Sequence, residues 1–153
     1  TASAQPPANQ YGWRKKNVTA TFSGTDAMSG GVTCDPQVVL SGEGTGQSAS
    51  GRCYDAAGQQ SNLATVTGIN IDKTNPTAAI TTPTNGATYK PNQAVKASYS
   101  CSDTLSGILT CTGTLANGQR IVTSKAVRNA KFTVTATDRA GNTQKVTNTY
   151  TVN

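Results

Sequence analysis

The stretch Val18-Thr19-Ala20-Thr21-Phe22-Ser23-Gly24-Thr25-Asp26-Ala27-Met28-Ser29-Gly30 returns as Val95-Lys96-Ala97-Ser98-Tyr99-Ser100-Cys101-Ser102-Asp103-Thr104-Leu105-Ser106-Gly107, at a constant offset of 77. A repeat of this kind has to be read first, because it fixes the unit that must bury its own core. Cys34 falls on Cys111 at the same offset. After an insertion in the second copy the register resumes at 83: Asp55-Ala56-Ala57-Gly58-Gln59 lies over Asp138-Arg139-Ala140-Gly141-Asn142, and Leu63 and Ile69 lie over Val146 and Val152. Between the copies stands Ile71-Asp72-Lys73-Thr74-Asn75-Pro76-Thr77. Its proline cannot occupy a central strand and pushes the preceding residue into extended geometry. The sequence therefore predicts one module over 1–76, with 1–10 as an extended leader, and a second over 77–153.

Each copy alternates with period two. Val18, Ala20 and Phe22 share one face, as do Val95, Ala97 and Tyr99, while Thr, Ser and Lys take the other, the signature of half-buried antiparallel strands. Phe132, Val134 and Ala136 make a later inward set, followed by a turn and a strand from Gln144 to Val152. Turn signals recur at Ser29-Gly30-Gly31, Ala57-Gly58, Asn85-Gly86, Asn117-Gly118 and Ala140-Gly141, a spacing that breaks the chain into short strands. The fold class expected is all-β, with a small β-sandwich in each half.

Hydrophobic residues make up 35% of the chain and charged residues 13%, too little charge and too many β-branched residues for a disordered segment. No apolar run approaches the roughly 20 residues of a membrane helix, so no membrane insertion is expected. No basic-then-apolar leader opens at Thr1, and the chain is expected to be a fragment of a larger one, with that chain's other domains as its partners. The net charge of +6 is unevenly placed: residues 1–76 hold five Lys/Arg and five Asp/Glu, residues 77–153 hold eight and two.

Cys34, Cys53, Cys101 and Cys111 allow three pairings. With no histidine and no Cys-x-x-Cys pair, zinc ligation in the usual pattern is excluded, and an even number of scattered cysteines in small modules points to disulfides in an oxidising compartment. Pairing within copies gives Cys34–Cys53 and Cys101–Cys111; a cross-copy pairing stays open. In the repeat alignment Cys53 falls on Ala136 and Cys101 on Gly24, so pairing within copies staples different strands in the two modules.

Gly12-Trp13 leading into Asn17-Val18-Thr19-Ala20-Thr21-Phe22, Thr25-Asp26 followed by Ser29-Gly30, Asp55-Ala56-Ala57-Gly58, and Gly68-Ile69-Asn70-Ile71-Asp72-Lys73-Thr74-Asn75-Pro76-Thr77 resemble bacterial immunoglobulin-like repeats. So do Thr137-Asp138-Arg139-Ala140-Gly141-Asn142 and Thr82-Pro83 before Asn85-Gly86-Ala87-Thr88-Tyr89, and the resemblance runs from Tyr11 to Asn153. It implies two tandem small immunoglobulin-like β-sandwiches, secreted or on the cell surface. Such repeats occur in large adhesins and as accessory modules behind secreted glycoside hydrolases, where they act as stalks, spacers or binding modules. The chain departs from the antibody-type pattern, because it lacks the Cys-Trp-Cys arrangement and its only tryptophan, Trp13, precedes the first matched strand.

Catalysis is not expected. A Ser-His-Asp triad needs an imidazole, and there is none. Glycoside hydrolysis needs two carboxyl groups facing one cleft, whereas Asp26, Asp55, Asp103 and Asp138 hold equivalent turn positions in the two copies, which reads as architecture. Intramolecular Lys–Asn isopeptide bonds usually need a buried acid beside the pair and are not expected in a chain with a single glutamate, Glu43. No cofactor is implied beyond calcium, for which linker Asp72 and the turn aspartates Asp26, Asp55, Asp103 and Asp138 are candidate oxygen ligands; similar linkers in some adhesin repeats bind calcium. The competing reading has each turn aspartate capping its own backbone amides.

Two segments are candidate binding sites. Trp13-Arg14-Lys15-Lys16 combines an aromatic face with three cations, suited to a sugar or an anionic polymer, or else to protecting an edge strand. Arg120, Lys125, Arg128 and Lys131 fall in the inserted part of the second copy, suited to teichoic acid or an acidic polysaccharide, with nucleic acid the least expected partner outside a cell. The function expected is a non-catalytic stalk, spacer or adhesive region of a larger bacterial protein. The alternative is a carbohydrate- or anionic-polymer-binding accessory of a secreted enzyme.

Overall fold

The structure, a computed structural model, describes residues 1–28 and 30–153. Ser29 lies outside the described residues, and with it part of the Ser29-Gly30-Gly31 turn signal. The chain is all-β and divides into two compact units, Thr1–Lys73 and Thr74–Asn153. The division falls three residues ahead of the expected boundary, and the first strand of the second unit opens at Thr77. Among the described residues, no helix is long and apolar enough to cross a membrane.

The first module contains β1 (Ala2–Gln5), β2 (Trp13–Arg14), β3 (Val18–Phe22), β4 (Val32–Cys34), β5 (Val38–Leu40), β6 (Gly44–Gly51), β7 (Cys53–Asp55) and β8 (Ala64–Ile71). They pair in the orders β1-β3-β5, β2-β8-β6 and β4-β7. The period-two pattern of β3 sends Val18, Ala20 and Phe22 inward, against Ile69 and Ile71 of β8 at one end and Ala49 and Cys53 at the other.

Residues 1–10, expected as a leader, are part of this fold. Ala2–Gln5 pair antiparallel with β3, and Pro6 follows β1 as Pro83 follows β9 (Thr77–Thr82), again at an offset of 77 and each after a cis peptide bond. The small residues Ala2 and Ala4 hid this strand from a search for large apolar alternation.

The second module continues from β9 with β10 (Ala87–Tyr89), β11 (Ser98–Ser102), β12 (Ile108–Gly113), β13 (Val127–Asp138) and β14 (Thr143–Val152). One sheet has the order β10-β14-β13-β12, and β9 pairs with β11 in the other. Between them lie Phe132, Val134, Tyr150 and Val152 from the first sheet and Val95, Ala97 and Ile121 from the second side, with Ile80 and Tyr99 packed against them. Val95 and Ala97 face inward as expected, and their stretch pairs with Gln119–Ile121 rather than with a hairpin neighbour: Ala97 N–H donates to Gln119 O and Ile121 N–H to Val95 O.

Cross-strand register tests the repeat alignment. Cys34 opposes Cys53, and their counterparts Cys111 and Ala136 oppose each other in the same way. Along the last strand the alignment needs correcting. Gly51 opposes Ala64 where Val134 opposes Val146, so Ala64 rather than Leu63 is the counterpart of Val146. Likewise Ile71, not Ile69, corresponds to Val152, since the first pairs with Arg14 and the second with Tyr89 in parallel bridges. Register irregularities on β6 between Gly44 and Ala49 absorb the difference.

The disulfides are Cys34–Cys53 and Cys101–Cys111. The first joins directly opposed residues of β4 and β7; the second crosses from β11 in one sheet to β12 in the other. Gly24 explains the difference. A Cβ there would lie 3.2 Å from Cys53 Cβ and 3.3 Å from its sulfur, so the first module already places a sulfur where the second has Cys101.

Candidate functional site

The turn aspartates are held by their own loops. Asp103 Oδ1 accepts from the N–H groups of Leu105 (3.1 Å) and Gly107 (2.6 Å). Asp138 Oδ1 accepts from Gly141 N–H (2.7 Å) and Asn142 N–H (2.8 Å), and its Oδ2 accepts from Asn142 Nδ2 (2.8 Å). In the first module Asp55 Oδ1 accepts from Gln59 N–H (2.7 Å) and Asp26 Oδ1 from Met28 N–H (3.0 Å). All four thus cap turn amides. Two do more. An oxygen of Asp103 and an oxygen of Asp138 lie within 4.8 Å of each other, because Ile108 opposes Asp138 across β12 and β13 and so brings the two turns to one end of the sandwich. Asp138 is fully buried and Asp103 half-buried. Asp72, at the end of the first module, is also fully buried, and its N–H donates to Arg14 O.

In the first module Asp26 and Asp55 line a shallow cavity of about 220 Å³ together with Thr25, Tyr54, Gln59 and Ser61. In its wall the side chains of Asp26, Asp55 and Ser61 are engaged in hydrogen bonds to backbone groups.

Apart from Arg139 and Lys145, the cations of the second module gather at the end away from Asp103 and Asp138. Strand β13 runs from Val127 and Arg128 to Asp138, ten residues or about 33 Å of extended chain from Arg128 to Asp138. Val127 opposes Val152, and Asn153 N–H donates to Tyr89 O, which brings Lys90 to this end. Asn92 N–H donates to Thr123 O, fixing the Lys90–Gln93 turn beside the segment that carries Arg120 and Lys125. Lys131 stands three residues further along β13 from Arg128, on its exposed face. Sequence reading named Arg120, Lys125, Arg128 and Lys131 but passed over Lys96, which lies directly opposite Arg120 in an antiparallel bridge. The signal was present: Lys96 replaces Thr19 in the repeat. Arg139 belongs to the other end, its Nη1 lying 3.4 Å from where a Cβ on Gly107 would stand.

Trp13 and Arg14 form β2, an edge strand paired with β8. Trp13 is half-buried, Arg14 Nε donates to Pro6 O (2.9 Å), and Lys15 and Lys16 are exposed. These residues belong to the first module, whereas Arg120 belongs to the second.

No protein-family profile and no curated protein matches the chain. Among solved structures it is similar to one described as Clostridium thermocellum CbhA fibronectin(III)-like modules, with 15% identity over 99% of this chain and 93% of that one and a TM-score of 0.41. A superposition that loose decides neither family nor function.

Proposed function

We propose that the chain is a non-catalytic extracellular pair of modules acting as a stalk, spacer or adhesive region of a larger secreted or surface protein of a bacterium. The observation that carries this reading is that each unit has its own apolar core and its own disulfide, so each is built to hold its shape without the other. Disulfides belong to oxidising compartments, and the aspartates available for acid–base chemistry are occupied as turn caps. Pulling the 153-residue chain between its ends tests the mechanical role. Two separate unfolding events are expected; a single featureless extension at low force would sink the reading.

A second reading, an accessory that binds anionic polymer or carbohydrate, is favoured by the gathering of cations at one end of the second module. Calcium is a further proposal for the acidic end. Two carboxylates this close repel unless a cation lies between them, and Asp103 and Asp138 would supply two of its oxygens. Melting with calcium should then occur above melting with chelator, and Asp103→Asn should abolish the difference. Superimposable curves for the unaltered chain would end the proposal.

A further inference from the structure

We propose that the basic end of the second module is a binding face for an acidic polysaccharide, anchored by Lys96 and Arg120; this deepens the polymer-binding reading above and rests on it. Lys96 and Arg120 are both exposed and directly opposed across an antiparallel bridge. Like charges in that relation destabilise a strand pair. The scaffold does not require them. The corresponding pair in the first module is Thr19 opposite Val39, since β3 pairs with β5 there as Val95–Ala97 pair with Gln119–Ile121 here. A like-charge pair in place of a neutral one is an unfavourable choice for the free module and a favourable one for a module that meets an anion.

The surroundings amplify the effect. Lys90, Lys125 and Arg128 are exposed at the same end, and Lys131 is exposed on the adjoining length of β13. The only acidic side chains in residues 77–153 are Asp103 and Asp138, about 33 Å of strand away from Arg128 and so beyond the Debye length of about 8 Å at physiological salt. No acidic side chain of the module lies near this end to offset its six cations, and the net positive field draws in anions.

The chemistry of the face selects among anions. Arg120 borders an open concavity of about 350 Å³ with Asn92, Gln93 and Ser124, so a guanidinium that grips a two-oxygen anion bidentately stands beside amides and a hydroxyl suited to sugar hydroxyls. Single-stranded nucleic acid would need aromatic rings to stack its bases. The aromatic rings at this end, Tyr89 and Tyr150, pack against each other with centroids 5.9 Å apart and planes tilted by 59°, with Tyr150 buried and Tyr89 half-buried. A saccharide chain bearing carboxylate or sulfate groups satisfies both the charge and the polar lining.

The test uses the 153-residue chain in affinity electrophoresis against polygalacturonate, heparin, neutral dextran and a single-stranded oligonucleotide, at low and moderate salt. Retention by one or both acidic polysaccharides, falling with salt, and none by dextran is expected; the stronger of the two identifies carboxylate or sulfate as the preferred group. Replacing the pair by its first-module counterparts, Lys96→Thr with Arg120→Val, should weaken retention about tenfold while leaving the thermal midpoint unchanged or higher, since a repulsive pair is removed. Undiminished retention in that variant, with loss in Trp13→Ala, would overturn this face and leave the polymer-binding reading standing. Retention of the unaltered chain by none of the polymers would overturn both, and tighter retention of the oligonucleotide than of either polysaccharide would overturn the choice of partner.

Discussion

At Gly51 the second methylene-sized step toward Phe22 is already taken by the ring. A Cβ there would fall 2.5 Å from Phe22 Cδ2 and 2.6 Å from Cε2, in a core too small to move aside. Gly51→Ala should therefore destabilise the first module by about 1–3 kcal/mol through overpacking, read as a lower denaturant midpoint with an unchanged slope; an unaffected midpoint would show that the ring can rotate away freely. Tyr150 makes a residue-scale prediction for the second module. Burial, and secondarily the neighbouring Tyr89, raise its hydroxyl above the ordinary value of 10.0. The folded module then holds this proton more tightly than the unfolded chain, so the contribution is intact below pH 10.0 and is lost as pH rises toward the raised value. Tyr150→Phe should flatten the alkaline part of the stability profile, measured by thermal melts from neutral to strongly alkaline pH.

At the scale of elements the two staples secure different joints of one scaffold. Cys34–Cys53 closes 19 residues within a strand pair, and Cys101–Cys111 closes 10 residues between sheets. By loop-closure entropy each contributes about 3 kcal/mol, a large share of the stability of so small a core. Replacing Cys34 and Cys53 by alanine should lower the melting transition of the first module alone, and the Cys101/Cys111 replacement that of the second alone. Calorimetry resolves the two; a shift of both transitions by either replacement would contradict separate cores.

For the whole molecule, the repeat multiplies a scaffold without multiplying its surface. The first module is neutral and the second carries the entire excess of positive charge, divided between an acidic end and a basic end. Pulling experiments read the scaffold through its staples: under reducing conditions the released length should grow by about 3.3–3.6 Å per freed residue, for the 19 residues enclosed in the first module and the 10 in the second. Growth in only one of the two events would show that a single module bears the load.

The sequence by itself determined the repeat, the all-β class, the inward faces of Val18, Ala20 and Phe22 and of Phe132, Val134 and Ala136, and the turn positions of the four aspartates. These are local patterns, set by period-two alternation and by residues that favour turns, and an internal copy verifies them. Only the tertiary structure decided that Ala2–Gln5 is a strand, since two alanines carry little apolar signal until β3 is beside them. The register of the last strand, too, depended on irregularities on β6 that no alternation announces. The site followed the same division. Cationic residues of the insertion were legible as composition, but Lys96 became their partner only when the chain folded back to set it opposite Arg120, a contact between residues far apart in sequence. Cys101 and Cys111 likewise acquired their role across two sheets from the packing that brings β11 and β12 together.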